Sequence, residues 1–403
     1  MATQIDPQNV VGRDQLIAQI WKMLAKGSVR FTAERRVGKT TVMTKMAAEP
    51  HSGFEVLYID LEGIDSPERF VELLVNRLQP LLSRTDQAKR RFQRLFEDLG
   101  GTEVAGLLKL PEMIRMGWQN ALAKTLSAVC EHQTDVSILL LMDELPYMLQ
   151  KIATIGADGQ QKILALTLLD TLRSIRQQHR NMRMVFAGSV GLHHVVEDLK
   201  QGKLASEPVN DMPLVEIRSL SESDAVTLAE RLLRDESVQI PSQDRQAILK
   251  RLVELTDCVP FYIERICCGL GQAAGAISIS RIEQAVDQQL LSAGDPWQME
   301  HFRDRLGTYY AGQLDDTLGR KVRNEDIARL ILDHMALAAA PQSINEIWAV
   351  VVSRFSLTDR NHIVKLLNSL ELDHYLMSDT QRKYSFRFPL IQRWWRTVQG
   401  LES

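Results

Sequence analysis

The sequence predicts an α/β fold in which a mostly parallel sheet is followed by two smaller domains. Three observations support this prediction. Short, nearly continuous apolar segments alternate with helical patterns in the first half of the chain, which is typical of a parallel sheet covered on both faces. The strand-like segments stop at residue 217, and helical periodicity follows. Near the end of the chain, two further strand-like segments flank a polar turn.

The parallel sheet is predicted from five apolar segments. They are bounded by helical patterns such as those at 67–82 and 164–179. The predicted strands lie at 28–33, 54–61, 136–142, 183–188 and 214–217. We therefore predict an α/β domain over residues 1–217, in which 83–120 forms a helical insert containing a basic amphipathic segment.

The rest of the chain predicts a helical domain, a linker and a last domain. Ser221, followed three residues later by Asp224, is typical of a helix start, and helical periodicity continues to residue 290. Residues 218–290 are thus predicted to be helical, and the polar stretch 291–321 to be a linker. Residues 322–403 show three helical patterns and then two strands around the turn TQRK, which is the layout of a winged helix.

Composition excludes several classes of protein. The 403 residues are 45% hydrophobic, so the chain can bury a large core. The 48 basic and 51 acidic residues give a net charge of −3, which excludes a generally basic nucleic-acid coat and a highly charged disordered chain. The few cysteines indicate reduced, buried thiols rather than a disulfide scaffold.

The start of the chain and its apolar runs bear on where the protein is found. The first residues lack the basic start and the apolar run of a signal peptide. The most apolar stretch, at 138–142, is far shorter than the roughly 20 residues that span a bilayer. We therefore expect a cytoplasmic protein that does not associate with membranes.

The strongest chemical signal is the segment AERRVGKTT at 33–41, between a predicted strand and a predicted helix. A triphosphate is held by backbone N–H groups of such a loop and by the helix N-terminus behind it. We expect Lys39 to contact the β- and γ-phosphates and the hydroxyl of Thr40 to ligate Mg²⁺. Ala33 stands where this pattern has glycine, but alanine keeps the backbone donor. The predicted phosphate-binding residues are Arg35, Arg36, Val37, Gly38, Lys39, Thr40 and Thr41.

Two acidic residues, Asp143 and Glu144, follow the apolar strand at 136–142. The carboxyl ends of parallel strands converge on the ligand crevice of such a sheet. We expect Asp143 to hold the metal through water and Glu144 to polarise the attacking water, as a catalytic residue.

The segment FAGSVG places Ser189 at the end of the next predicted strand. Its hydroxyl is predicted to sense the γ-phosphate or to position water. The alternative is that Ser189 only caps the turn into the helix that follows, and the sequence leaves both roles open.

Six segments occur in an order that resembles archaeal-type ATPases of the STAND branch of P-loop proteins, relatives of AAA+ and origin-recognition ATPases. They are VVGRD, RRVGKTT, LYIDLEG, LLLMDE, FAGSVG and DCVPFYIERICCGL. The segment YSFRFPLIQRWWR is similar to the end of that family's winged helix. The resemblance covers nearly the whole chain except 83–120.

The resemblance implies an AAA+-like P-loop NTPase sheet with a helical lid and a C-terminal winged helix. It implies that ATP or ADP, with Mg²⁺, is bound as the signal of a molecular switch. Val11 and Gly12 would lie near the adenine, and Pro260 would close over the base from the lid.

The chain departs from the family pattern at two places. Cys258 stands where the family usually has glycine, two residues before Pro260. Ala33 and Glu34 stand where Gly-Pro is usual, so Glu34 is expected either to weaken phosphate affinity or to be offset by Arg35 and Arg36.

Three functions remain open from the sequence. The favoured one is a Mg-ATP-dependent switch with slow hydrolysis, in prokaryotic signalling or defence, whose winged helix docks a protein or the ATPase core. The second is a DNA-binding ATPase of the initiator or loader type, and the third holds nucleotide structurally. The predicted recognition helix at 358–373 has two basic and three acidic residues, which favours protein docking over DNA. We also expect a nucleotide-dependent oligomer.

Overall fold

The computed structural model describes residues 6–82, 102–104, 107–109, 117–132, 135–154, 160–188, 191–200, 207–272 and 277–401. By its contacts the chain divides into two compact units. The first comprises Met1–Ala33 and Gly38–Ile217, and the second comprises Glu34–Val37 and Arg218–Ser403.

The first unit is built on a five-stranded sheet in which every strand pair is parallel. The strands of the unit are β1 (Val29–Thr32), β2 (Phe54–Asp60), β3 (Thr102–Val104), β4 (Leu107–Lys109), β5 (Ser137–Asp143), β6 (Met182–Phe186) and β7 (Leu214–Glu216), with β3 and β4 forming a separate antiparallel hairpin. The strand order of the parallel sheet is β2-β5-β6-β1-β7. The five strands predicted from the sequence are confirmed, each within two residues at either end.

Strand β5 lies inside this sheet, between β2 and β6, and it carries the most apolar segment of the chain. The side chains at 138–142 are completely buried. Burying each such aliphatic side chain contributes about 1.5–3 kcal/mol, so this strand anchors the sheet whose end carries Asp143. The helices of the unit are α1 (Asp14–Leu24), α2 (Lys39–Ala48), α3 (Pro67–Leu82), α4 (Trp118–His132), α5 (Leu145–Thr154), α6 (Gln160–Gln178) and α7 (Leu192–Lys200).

The second unit begins with four helices over the stretch that was predicted to be helical. The predicted helix start is present, because the hydroxyl of Ser221 accepts the N–H of Asp224 at 3.1 Å. The helices are α8 (Glu222–Asp235), α9 (Arg245–Leu255), α10 (Pro260–Gln272) and α11 (Ile279–Leu290).

The stretch 291–321 differs from the linker that the sequence predicts. It contains helix α12 (His301–Tyr309) and strand β8 (Gln313–Asp315), which pairs with β9 (Lys321–Arg323). Trp297, Met299 and Phe302 are almost completely buried. Each of these buried apolar residues stands singly among polar ones, so this stretch of the sequence shows no continuous apolar segment.

The last part of the second unit contains four helices and a three-stranded antiparallel sheet. The elements are α13 (Asn324–Leu337), β10 (Gln342–Ser343), α14 (Ile344–Phe355), α15 (Arg360–Leu372), β11 (Leu376–Ser378), β12 (Lys383–Phe386) and α16 (Pro389–Val398). The strand order is β10-β12-β11. The first three helices and the strands β11 and β12 occur where the sequence predicts them, while β10 is an addition to that prediction. Trp394 and Trp395 of the final helix are buried, so they serve as packing residues.

Two further sequence predictions concern the insert and membrane association. The basic amphipathic helix predicted within 83–120 falls outside the described residues. Elsewhere in this predicted helical insert, residues 102–104 and 107–109 form the antiparallel hairpin of β3 and β4 and not a helix, because these residues pair across strands. Within the described part of the chain, no helix combines the length and the apolar character that crossing a membrane requires.

Candidate functional site

The predicted phosphate-binding loop joins β1 to α2, as the sequence pattern requires. Gly38 has φ +100°, a left-handed conformation that glycine adopts without strain, and α2 begins at the next residue. The hydroxyl-bearing residues Thr40 and Thr41 thus lie in the first turn of a helix. The N–H groups of a first helical turn lack partners within the helix and attract anions.

The side chain of Lys39 lies inside this loop. Its Nζ donates to the carbonyl oxygen of Ala33 at 2.9 Å, and the residue is buried. Ala33, the departure from the usual glycine, is also buried and supplies an acceptor for the lysine. The methyl group of Ala33 thus leaves the hydrogen bond between its carbonyl oxygen and Lys39 in place.

Asp143, the last residue of β5, links the sheet to the phosphate-binding loop through hydrogen bonds. Its Oδ2 accepts a hydrogen bond from the hydroxyl of Thr40 at 2.7 Å and another from the hydroxyl of Tyr58 at 3.1 Å. Its Oδ1 accepts the N–H of Glu144 at 3.1 Å. The structure thus brings together Thr40 and Asp143, the two residues predicted to hold the metal.

Tyr58 was not singled out from the sequence as a site residue. It lies on β2 in the segment LYIDLEG, which contributed to the family resemblance but to no predicted role. The sequence does contain a hint of this contact, because two apolar strands both end in an aspartate. Asp60 pairs in register with Asp143, which brings Tyr58 close to that acid.

Burial dominates the ionisation of this group. It raises the pKa of Asp143, and the hydrogen bond from Thr40 opposes the rise. Burial also raises the pKa of Tyr58, and the charge of Asp143 raises it further. Tyr58 therefore keeps its proton and acts as a donor at neutral pH.

The oxygen atoms of Thr40 and Asp143 fit a magnesium ion. Mg²⁺ prefers hard oxygen ligands and usually retains several waters, binding proteins through one or two side chains. A threonine hydroxyl 2.7 Å from a carboxylate oxygen, at the start of a helix, supplies such a pair.

Glu144 occupies a strained turn between β5 and α5. Its φ is +55°, which is unusual for a residue with a side chain, and strain of this kind recurs at functional sites. Gly188, two residues after the end of β6, makes room for this turn. A Cβ on Gly188 would lie 2.6 Å from Cδ of Pro146 and 3.5 Å from Oε2 of Glu144.

For four other site residues the predicted role stays a prediction. Val11 and Gly12 precede α1, and Gly12 adopts a left-handed φ of +69°. Pro260 is the first residue of α10 in the second unit. Ser189 lies outside the described residues.

The negative charge of Glu34 is balanced by residues that the sequence did not indicate. Its carboxylate is buried within the second unit. Nη2 of Arg305 donates to it at 2.9 Å, and Nε2 of His301 lies 3.4 Å from it. Burial by itself would raise the pKa of Glu34, but Arg305 and then His301 reverse this effect, and the pKa lies well below its usual range. The sequence left open whether Glu34 weakens phosphate affinity or is offset by Arg35 and Arg36. Its carboxylate has partners more than 260 residues away in the chain, and Arg35 adds its backbone N–H at 2.6 Å.

Arg36 stacks on an aromatic ring of the second unit. Its guanidinium lies 4.3 Å from the centre of the Phe261 ring, and that of Arg265 lies 5.1 Å from the same ring. Burial lowers the pKa of Arg36, and the charge of Arg35 lowers it further. A phosphate contact by Arg36 remains a prediction.

Cys258 occupies a position that favours glycine. Asp257 and Cys258 have φ values of +49° and +54°, so this turn is left-handed over two residues. The resemblance expects glycine at position 258 for the same physical reason, because glycine enters this region without steric strain.

Comparison with solved structures shows the fold. No protein-family model matches the chain, and no curated protein matches it. The Walker-type ATPase PABY2304 of Pyrococcus abyssi has a TM-score of 0.58 at 16% sequence identity, with 96% of this chain and 97% of that chain covered.

Two other solved structures resemble this chain more weakly. The ORC2 protein of Aeropyrum pernix, in ADPNP-ADP complexes, matches at a TM-score of 0.42 and 11% identity, over 98% of this chain and 97% of that one. The Holliday junction branch migration motor RuvB of Thermotoga maritima matches at 0.36 and 10% identity, over 97% and 95%. The full-length match to the Pyrococcus abyssi protein, together with the parallel sheet and its loop, shows that this chain has the fold of a Walker-type P-loop ATPase.

Proposed function

We propose that this chain binds Mg-ATP at the loop 33–41, hydrolyses it slowly and acts as a nucleotide-dependent molecular switch. The hydrogen bond between Thr40 and Asp143 carries this proposal. It joins the hydroxyl of the loop to the acid at the end of β5, in the arrangement that a metal-bound triphosphate requires.

Each residue of the first unit would have a distinct task. Lys39 exchanges the carbonyl of Ala33 for phosphate oxygens, which offer its charge a stronger partner. Thr40 and Asp143 would hold Mg²⁺, which when bound supplies positive charge that stabilises the phosphates. Glu144 orients a water molecule and accepts its proton as the water oxygen bonds to the γ-phosphorus. The bond between that phosphorus and the β–γ bridging oxygen breaks, and ADP leaves with the bridging oxygen.

The remaining predicted residues complete the site in this proposal. Val11 and Gly12 contact the adenine from the turn before α1, and the contact of Pro260 with the base stays an expectation from the family resemblance. Ser189 senses the γ-phosphate or positions the water. Switching follows if the contacts of these groups differ between ATP and ADP, because a ligand shifts a conformational equilibrium only by its differential affinity for the two states.

For the last part of the second unit we propose a winged helix that docks a protein partner or the ATPase core. Its predicted recognition helix at 358–373 carries two basic and three acidic residues, and the chain as a whole carries a net charge of −3. A protein partner and a nucleotide-dependent oligomer remain part of this proposal, as does a role in prokaryotic signalling or defence.

A DNA-binding ATPase is the second candidate, and one observation favours it. The acidic residues of the predicted recognition helix are engaged within the second unit: Asp359 accepts the N–H of His362, Glu371 accepts from Ser378, and Asp373 accepts from Tyr310. Basic side chains at the surface are Arg360, Lys365, Arg382 and Lys383. DNA affinity that requires ATP and falls steeply with salt would select this candidate over protein docking.

The test is phosphate release by the purified protein and by Lys39→Ala. We expect slow turnover by the wild type and at least a tenfold loss in Lys39→Ala, because a charge-assisted contact to phosphate is removed. Lys45→Ala is the matched control, since Lys45 lies on the same helix but pairs with Asp14 at 3.0 Å. Equal turnover in all three proteins would refute the assignment of the loop.

A further inference from the structure

Tyr58 reaches the acid of the neighbouring strand because of the register between β2 and β5. Tyr58 pairs with Leu141, and Asp60 pairs with Asp143, so Tyr58 lies one side-chain repeat before the acid. Side chains alternate across a sheet, and residues two apart share a face. The tyrosine and Asp143 therefore share one face, and the long tyrosine side chain spans the diagonal between them.

The contact made there is specific. The hydroxyl of Tyr58 donates to Oδ2 of Asp143 at 3.1 Å, the same oxygen that accepts the hydroxyl of Thr40 at 2.7 Å. Oδ1 is held by the N–H of Glu144. Because both oxygens accept hydrogen bonds, the carboxylate cannot rotate freely. Oδ2 is held towards the loop by two donors, and removing the hydroxyl of Tyr58 leaves only Thr40.

We propose that Tyr58 is a positioning residue that orients the carboxylate of Asp143 for Mg²⁺ at the nucleotide site. This inference rests on the proposed function, because it assumes that Asp143 serves the metal. Tyr58 touches neither nucleotide nor metal in this role. It acts through the hydrogen bond to Asp143, in the way that outer partners orient metal ligands elsewhere.

The test is the Mg²⁺ dependence of ATP binding to Tyr58→Phe, measured with a fluorescent ATP analogue. Phenylalanine keeps the ring and removes only the hydroxyl. We expect the Mg²⁺ concentration for half-maximal binding to rise about tenfold, as for loss of a hydrogen bond to a charged group. In EDTA the affinity for the analogue should match that of the wild type.

A double variant separates this role from a general structural one. In an Asp143→Asn background, Tyr58→Phe should cause no further change, because groups that act through one partner are not additive. Tyr310→Phe is the control for losing a tyrosine–carboxylate hydrogen bond, since Tyr310 donates to Asp373 at 2.7 Å in the second unit. It should leave the Mg²⁺ dependence unchanged.

The outcomes distinguish the two levels of the proposal. An unchanged Mg²⁺ half-point in Tyr58→Phe, or an equal loss of affinity in EDTA, would overturn the role of Tyr58 while leaving the nucleotide site intact. A wild-type protein that binds no analogue with Mg²⁺ would instead overturn the proposed function, and this inference with it.

Discussion

Glu144 holds a backbone conformation that most residues avoid, and its neighbours are shaped to permit it. Its φ of +55° stores strain at the position where a water-orienting carboxylate is expected. Gly188 leaves the space that the Pro146 ring occupies directly after this turn. The geometry of the proposed catalytic carboxylate thus depends on a residue without a side chain.

Gly188→Ala should impair turnover more than nucleotide binding. The added Cβ would lie 2.6 Å from Cδ of Pro146, so the turn carrying Glu144 must shift. We expect a loss of stability of about 1–3 kcal/mol from overpacking, and a loss of phosphate release of at least tenfold. Phosphate release and analogue binding, measured side by side, check this prediction.

Gly63→Ala is the matched control for that variant, because a Cβ there would meet nothing within 4 Å. Normal phosphate release by Gly188→Ala would show that the turn at Glu144 tolerates the shift and that its strain serves no catalytic purpose.

At the scale of single residues, the sequence predicts a role in the site only where a local motif specifies it. Thr40 and Asp143 could be paired from the loop motif and a strand end. Tyr58 and Arg305 could not, because their contacts depend on strand register and on tertiary contacts between residues distant in the chain. Those relations have no local signature in a single sequence.

Helix termini show how elements of the second unit are tied together. Helix α16 starts at Pro389, and the N–H of Leu390 is accepted by the carboxylate of Asp257 at 2.8 Å. Asp257 thus satisfies one of the N–H groups that a helix leaves unpaired at its start, from a turn more than 130 residues away. A carboxylate also interacts favourably with the positive end of the helix.

The charge of Asp257 makes this contact sensitive to pH. Burial raises the pKa of Asp257 to about 7, although the hydrogen bond from Leu390 opposes the rise. Its ordinary value is 3.8. Between these values the folded protein binds more protons than the unfolded chain, so the free energy of unfolding falls as the pH rises.

Asp257→Asn should therefore flatten the pH dependence of stability. Asparagine keeps an oxygen to accept the N–H of Leu390 but takes up no proton. We expect the wild type to lose on the order of 1–3 kcal/mol between pH 5 and pH 8 that the variant does not lose. Thermal unfolding at several pH values measures this difference.

Asp244→Asn is the control, because Asp244 precedes helix α9 without a side-chain hydrogen bond to it. Parallel stability profiles for wild type and Asp257→Asn would contradict the titration assigned to Asp257.

Elements were predictable where their hydrophobic pattern was strong. Strand β5 and the helix that begins after Ser221 follow directly from periodicity and capping. The stretch 291–321 was predicted as a linker because its buried residues, such as Trp297 and Phe302, are separated by polar ones. Strand β10 has two residues and follows from tertiary pairing alone.

At the scale of the whole molecule, the order of segments predicted the fold. Alternating strands and helices gave the parallel sheet, and the comparison with the Pyrococcus abyssi ATPase extends the likeness over 96% of the chain. The protein partner proposed for the second unit does not follow from this likeness, since function resides in sites rather than in folds. A site that binds and hydrolyses ATP is therefore the central claim.

The most direct measurement of that claim is the identity of the nucleotide retained by Glu144→Gln after incubation with ATP and Mg²⁺. Glutamine preserves the shape of the side chain but cannot accept a proton from water. After removal of free nucleotide, chromatography should find ATP on Glu144→Gln and ADP on the wild type. ADP on the variant would contradict the role of Glu144, and the absence of nucleotide from both proteins would contradict the site itself.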